Sequence, residues 1–342
     1  MKMKRSVRAL QTTPRWRLQA HRASFLSPTS ATVRTLSTTG ATDERTFKDS
    51  FNNERPYVFT GATSSPTCTL PAYHKWFEKG AEGTSCLSSY MDPYHQWPFP
   101  YELIKPANRG SETIARFHDS LSNSKDATDR SLAEALRSAT SETSHGQQFF
   151  QLDAPLKLLA KALEFNKATR QKAHPPVQLY IAQSLLPDLP SALQDDVPTP
   201  EILSQVGRGD IYSSSIWLGT EPTYTPLHRD PNPNLFCQLC SSKVVRLLPP
   251  KTGHDVYNRV RMRLRGSGSS RIRSTEMMEG EERELLHGAV WEDGMEEIRS
   301  ADIQEVMLRA GDALFIPKGW WHSIKSEQSD GHLNGSVNWW FR

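Results

Sequence analysis

The chain is 342 residues long, 37% hydrophobic and 23% charged, with a formal net charge of +3. That apolar content is enough for a buried core, and no apolar run reaches the ~18 residues that a membrane-spanning helix needs. So small a net charge gives no electrostatic argument for a nucleic-acid partner.

The positive charge is concentrated at the start. Lys2, Lys4, Arg5, Arg8, Arg15, Arg17, Arg22 and Arg34 all precede Asp43, the first acid, in a stretch rich in Ser, Thr and Ala. A basic, hydroxyl-rich, acid-free segment has the composition of a mitochondrial transit peptide. Its apolar residues (Leu10, Trp16, Leu18, Phe25, Leu26) are too scattered for a secretory signal. Residues 1–42 are therefore expected to act as a mitochondrial address and to lie outside the fold. A disordered basic tail, or a nuclear address, is the alternative.

Further along, residues 55–61 read as a short strand closed by glycine, and 70–79 as a short helix. Residues 80–128 give no orderly pattern. Leu152, Leu156, Leu159 and Leu163 recur at helical spacing, so 152–166 is expected to be an amphipathic helix with Asp153 as its cap. From 177 the texture changes. Residues 177–184, 211–218, 224–230, 235–240, 243–248, 313–316, 320–324 and 335–341 are short, rich in β-branched or aromatic residues, and separated by turn residues. Strands spaced in this way suggest a barrel or sandwich. Residues 251–300 interrupt the series with an Arg-rich block, a Gly-Ser stretch and an acidic block. This is expected to be a solvated insertion loop, with a substrate lid as the alternative. Cys237 and Cys240 form C-x-x-C without a second pair or suitably spaced histidines, so no zinc site is expected. On a strand their thiols would face opposite ways.

The chemistry concentrates in His228-Arg229-Asp230. Residues i and i+2 of a strand share a face, so His228 and Asp230 can enter one cavity while Arg229 faces away. A histidine from a distant strand would complete a two-histidine, one-carboxylate face, which leaves adjacent positions open on octahedral iron. His322, in the run 316–322 (I-P-K-G-W-W-H), is the candidate. Alone, H-x-D is more often an ordinary surface pair.

The joint pattern resembles the JmjC, cupin-like oxygenases, and within them the asparaginyl-hydroxylase-like branch. The matching features are Thr225-Pro226-Leu227-His228-Arg229-Asp230, then Asn234, Lys243 and Pro249-Pro250. The blocks I-P-K-G-W-W-H at 316–322 and V-N-W-W at 337–340, and the strand Leu179-Tyr180-Ile181, complete it. The resemblance covers roughly 50–342. It implies a double-stranded β-helix, a jelly-roll barrel with N-terminal helices packed on it. It implies Fe(II) held by His228, Asp230 and His322, with 2-oxoglutarate and O2 as cosubstrates. Lys243 would pair with the distal carboxylate of 2-oxoglutarate, Tyr180 and Thr225 would donate hydroxyls to it, and Asn234 and Asn338 would line its pocket. The tryptophans at 320, 321, 339 and 340 read as packing. The activity implied is oxidative decarboxylation coupled to hydroxylation of a protein or peptide side chain. A lysyl demethylase and a non-catalytic cupin-like binding module are the alternatives.

Overall fold

The computed structural model describes residues 34–35, 44–60, 65–79, 85–105, 110–137, 148–170, 174–264, 280–292 and 303–342. Among them fifteen strands follow in chain order. They are β1 (Arg34–Thr35), β2 (Tyr57–Phe59), β3 (Phe77–Lys79), β4 (Ser85–Leu87), β5 (Pro98–Lys105), β6 (Gln148–Pro155), β7 (Gln178–Leu185) and β8 (Ile211–Thr220), followed by β9 (Tyr224–Arg229), β10 (Asn234–Cys240), β11 (Ser242–Leu248), β12 (Gln304–Arg309), β13 (Ala313–Ile316), β14 (Trp321–Ser326) and β15 (Leu333–Phe341).

Two sheets carry the site. The larger runs β2-β13-β10-β15-β8-β7-β5-β6, and the smaller runs β1-β12-β11-β14-β9. From β8 onward the chain crosses between them. β8, β10, β13 and β15 belong to the larger sheet, β9, β11, β12 and β14 to the smaller, and every pairing among them is antiparallel. This is the double-stranded β-helix anticipated from the sequence, extended on one side by β7, β5 and β6.

Three apolar layers hold it together. On the outer face of the larger sheet, Leu235, Cys237, Val337, Trp339 and Phe341 pack with Leu158, Leu159 and Ala162 of the helix Lys157–Thr169 and with Phe117 and Leu132 from the helices Gly110–Ser122 and Ala127–Ala135. Between the sheets lie Val58, Phe236, Val245, Leu247, Val306, Leu308, Leu314, Ile316, Trp320 and Ile324. Behind the smaller sheet, Leu227, Leu248 and Trp321 pack against Val256, Tyr257, Val260, Leu286, Ala289 and Val290. β15 is buried along its whole length, yet only one of its faces is apolar. Asn334, Ser336, Asn338 and Trp340 alternate with Val337, Trp339 and Phe341 and so line the barrel interior.

Several expectations are corrected. The helix expected over 152–166 begins at Lys157, because residues 148–155 form β6 along β5. Leu152 and Leu156 are four apart, a spacing that suits period two as well as a helix. Asp153 therefore stands opposite Pro100 in the ladder and caps nothing. The helix expected over 70–79 is confined to Pro71–Lys75, and β3 follows. The insertion is not loop throughout: Pro250–Leu264 and Gly280–Trp291 are helices. Their charges mask the apolar face of Val256, Tyr257, Val260, Leu286, Ala289 and Val290. The Gly-Ser stretch lies outside the described residues. Cys237 and Cys240 do not face opposite ways, since a register shift between Gln238 and Cys240 brings both into the same core layer. Burial pushes both thiols up to about 12, which leaves them inert. The address expected over 1–42 also lies outside the described residues, except that Arg34 and Thr35 pair parallel with β12. No described helix is long and apolar enough to cross a membrane.

Candidate metal and cosubstrate site

β9 and β14 are neighbours in the smaller sheet, in a register that sets His228 directly opposite His322. Asp230 follows at the end of β9. The ligand atoms of His228, Asp230 and His322 all lie within 4.8 Å of one another. His228 Nε2 is 3.9 Å from Asp230 Oδ1, and His322 Nε2 is 3.6 Å from Asp230 Oδ2. His228 Nδ1 bonds the Pro226 carbonyl at 2.9 Å and His322 Nδ1 the Trp320 carbonyl at 3.3 Å. A carbonyl only accepts, so both Nδ1 atoms carry the proton and both Nε2 lone pairs face the carboxylate. Burial and the neighbouring His322 hold His228 far below its ordinary pKa, in the neutral form a metal requires. Asn234 Nδ2 donates to Asp230 Oδ2 at 2.9 Å, and Asn338 Nδ2 donates to Asn234 Oδ1 at 3.2 Å. The carboxylate thus fixes the orientation of both amides.

A cavity of about 460 Å³ opens over this triad, and its walls include Tyr180, Thr225, Asn234, Lys243 and Asn338. Thr225 is three residues before His228 and would face away on a regular strand. Between His228 and Thr225, β9 spends three residues where β14 spends two, from His322 to Ile324, and this extra residue turns Thr225 inward. Lys243 is 2% exposed. Its Nζ donates to Tyr180 Oη at 3.2 Å and to Ser336 Oγ at 3.0 Å, and it lies 5.3 Å from the Phe236 ring. Among the described residues no carboxylate forms an ion pair with it. Burial, opposed by the more distant Glu221, pulls its pKa down to about 7. An ammonium so placed lacks a counter-charge, and a bound carboxylate would supply one. Trp217 Nε1 and Asn338 Oδ1, also on the cavity wall, are buried without partners among the described residues. An orphan donor and an orphan acceptor fit a polar ligand better than a dry pocket.

The structure therefore brings together all eight residues singled out in the sequence. It adds others. Ser336 was missed although it lies two residues before Asn338 on β15, so strand periodicity alone would place it on the same wall. Trp340, read as packing, is the next member of that row and lines the cavity. Gln183 enters the wall at a register shift in β7 with φ of 54°, a conformation no sequence pattern announces.

Residues 43–342 match the cupin-like domain family. Lysine-specific demethylase JMJ30 of Arabidopsis thaliana is 27% identical over 199 residues, covering 57% of this chain and 41% of that protein. JmjC domain-containing protein D of Dictyostelium discoideum is 29% identical over 157 residues, 43% of this chain and 32% of that protein. Lysine-specific demethylase 8 of Danio rerio is 29% identical over 164 residues, 47% and 36% respectively. The chain thus spans less than half the length of these curated relatives. On its motifs, its β-helix and the match over 43–342, the chain belongs to the cupin-like JmjC family.

Proposed function

We propose that this chain is an Fe(II)- and 2-oxoglutarate-dependent dioxygenase that hydroxylates a protein side chain. The observation that carries the reading is the buried Lys243, which pairs with no carboxylate among the described residues, in the same cavity as the His228–Asp230–His322 cluster. His228, Asp230 and His322 would hold the metal on one face and leave the cavity side open. Lys243 would bind the distal carboxylate of 2-oxoglutarate. Tyr180 accepts from Lys243 and so keeps its own hydroxyl proton to donate to that carboxylate, as Thr225 would. Asn234 and Asn338 would line the cosubstrate's path to the metal while holding Asp230 in place. Phe236, Ile324 and Trp217 wall the site against water. When bound, iron and 2-oxoglutarate supply oxidative decarboxylation with O2 to succinate and CO2, coupled to oxygen insertion into a substrate C–H bond.

Lysyl demethylation is the second reading, and the names of the Arabidopsis and zebrafish relatives favour it. The cavity wall weighs against it. Among the described lining residues Asp230 is the only acid and is already engaged by Asn234, whereas Lys243 is cationic. A methylated ammonium would find no free counter-charge among these described residues. Incubation with organelle extract and, separately, with methylated histone peptides tests the choice by mass spectrometry. A gain of one oxygen on a protein substrate is expected. Loss of lysine methyl groups with release of formaldehyde would overturn it.

A further inference from the structure

The insertion between β11 and β12 has no part in the chemistry above, yet it packs directly behind the metal histidines. Trp321 precedes His322, and Leu227 and Arg229 flank His228. All three project from the outer face of the smaller sheet, because neighbours on a strand face opposite ways. Trp321 is completely buried. One side of its indole meets Tyr257, with ring centroids 5.0 Å apart and planes inclined by 34°. The Arg229 guanidinium lies 5.5 Å from the ring and is paired with Trp321 in the β9–β14 ladder. Gly253, one turn before Tyr257, touches the indole so closely that a Cβ there would lie 2.2 Å from Trp321 Cγ. Leu227 joins Trp321 in the same apolar layer, with Val256 and Val260 on the insertion side.

We infer that the helix Pro250–Leu264 is a positioning element for the metal site, with Tyr257 and Gly253 fixing the indole of Trp321 and, through the β9–β14 pair, the directions of His322 and His228. A rotation of Trp321 about its strand turns His322 by the same backbone motion. The inference rests on reading His228, Asp230 and His322 as a metal site. It makes the insertion part of the site, although none of its described residues lines the cavity.

The test is Co(II) titration of the full chain, followed by the visible absorption of the bound ion, with thermal unfolding measured in parallel. Tyr257→Leu and Gly253→Ala should each weaken Co(II) binding about tenfold and alter the absorption bands, the size found when a group that orients a ligand is lost. Tyr257→Phe keeps the ring and should bind as the wild type does. Leu132→Ala, in the helix Ala127–Ala135 on the far side of the larger sheet, should lower the unfolding temperature without changing Co(II) affinity. Wild-type affinity and spectrum in a folded Tyr257→Leu would overturn the inference, as would equal weakening by Leu132→Ala. Should Gly253→Ala not fold, the two Tyr257 variants decide. Absence of cobalt bands in the wild type would instead remove the metal-site reading, and the inference with it.

Discussion

Lys243 makes a quantitative prediction. Its pKa of about 7 in the folded chain lies well below the ordinary 10.5, because burial disfavours the ammonium. A carboxylate bound beside it restores the charged form. Binding of 2-oxoglutarate should therefore draw in a proton wherever the free site is deprotonated. The uptake should be larger at pH 8 than at pH 6, because the free site is more deprotonated at the higher pH. Isothermal titration of the Mn(II)-loaded, oxygen-free chain with 2-oxoglutarate, repeated in buffers of different ionisation enthalpy, measures the uptake directly. The same linkage governs stability. As pH falls from 10.5 toward 7 the unfolded chain protonates this lysine and the folded chain does not, so the fold loses stability over that window; below 7 both forms are protonated and the loss stops growing. Lys243→Met should accordingly stabilise the ligand-free chain and raise its unfolding temperature, since it removes a buried amine whose charged form burial disfavours. It should also weaken 2-oxoglutarate binding by roughly 1.5–3 kcal/mol while metal still binds. Buffer-independent heats at pH 8, or unchanged affinity in the methionine variant, would refute the placement of Lys243 at the distal carboxylate.

The other predictions are simpler. Alanine at His228, Asp230 or His322 should abolish 2-oxoglutarate-dependent succinate formation while circular dichroism stays that of the wild type; turnover by any of these folded variants would remove that residue from the metal site. Ser336→Ala removes one acceptor from Lys243 and should weaken 2-oxoglutarate binding by about 1 kcal/mol, a few-fold in Kd, without affecting Co(II) affinity. A reporter fused to residues 1–42 should enter mitochondria and be processed. An unprocessed cytosolic or nuclear reporter would reject that address.

Short strands of the barrel were legible because they pair turn residues with β-branched and aromatic runs, and β13 at Ala313–Ile316 falls where the sequence places it. H-x-D at strand spacing offered only one shared face; the triad was legible because the family resemblance, through the run I-P-K-G-W-W-H, joined His322 to it. β5 and β6 were not, since Pro98 and Pro100 punctuate the first, and Leu152 in the second falls in helical register with Leu156, Leu159 and Leu163 of the helix that follows. β12 hid behind the charged insertion. The insertion's helices hid because their apolar positions are diluted by arginines and glutamates that face solvent or cap aromatics, as Arg283 does over Tyr224 at 4.6 Å. Thr225 and Gln183 depend on strand irregularities, which redirect a side chain without leaving a mark in composition. For Thr225 the family resemblance supplied what periodicity would have denied.

The central claim is that one cavity binds a metal through His228, Asp230 and His322 and a dicarboxylate through Lys243. Oxygen-free titration with Fe(II), then 2-oxoglutarate, tests both halves in one cuvette. A visible charge-transfer band that appears only when both are present, is lost in His322→Ala and needs more 2-oxoglutarate in Lys243→Met is the expected result. No band at saturating concentrations of both, in a chain shown to be folded, would contradict the account.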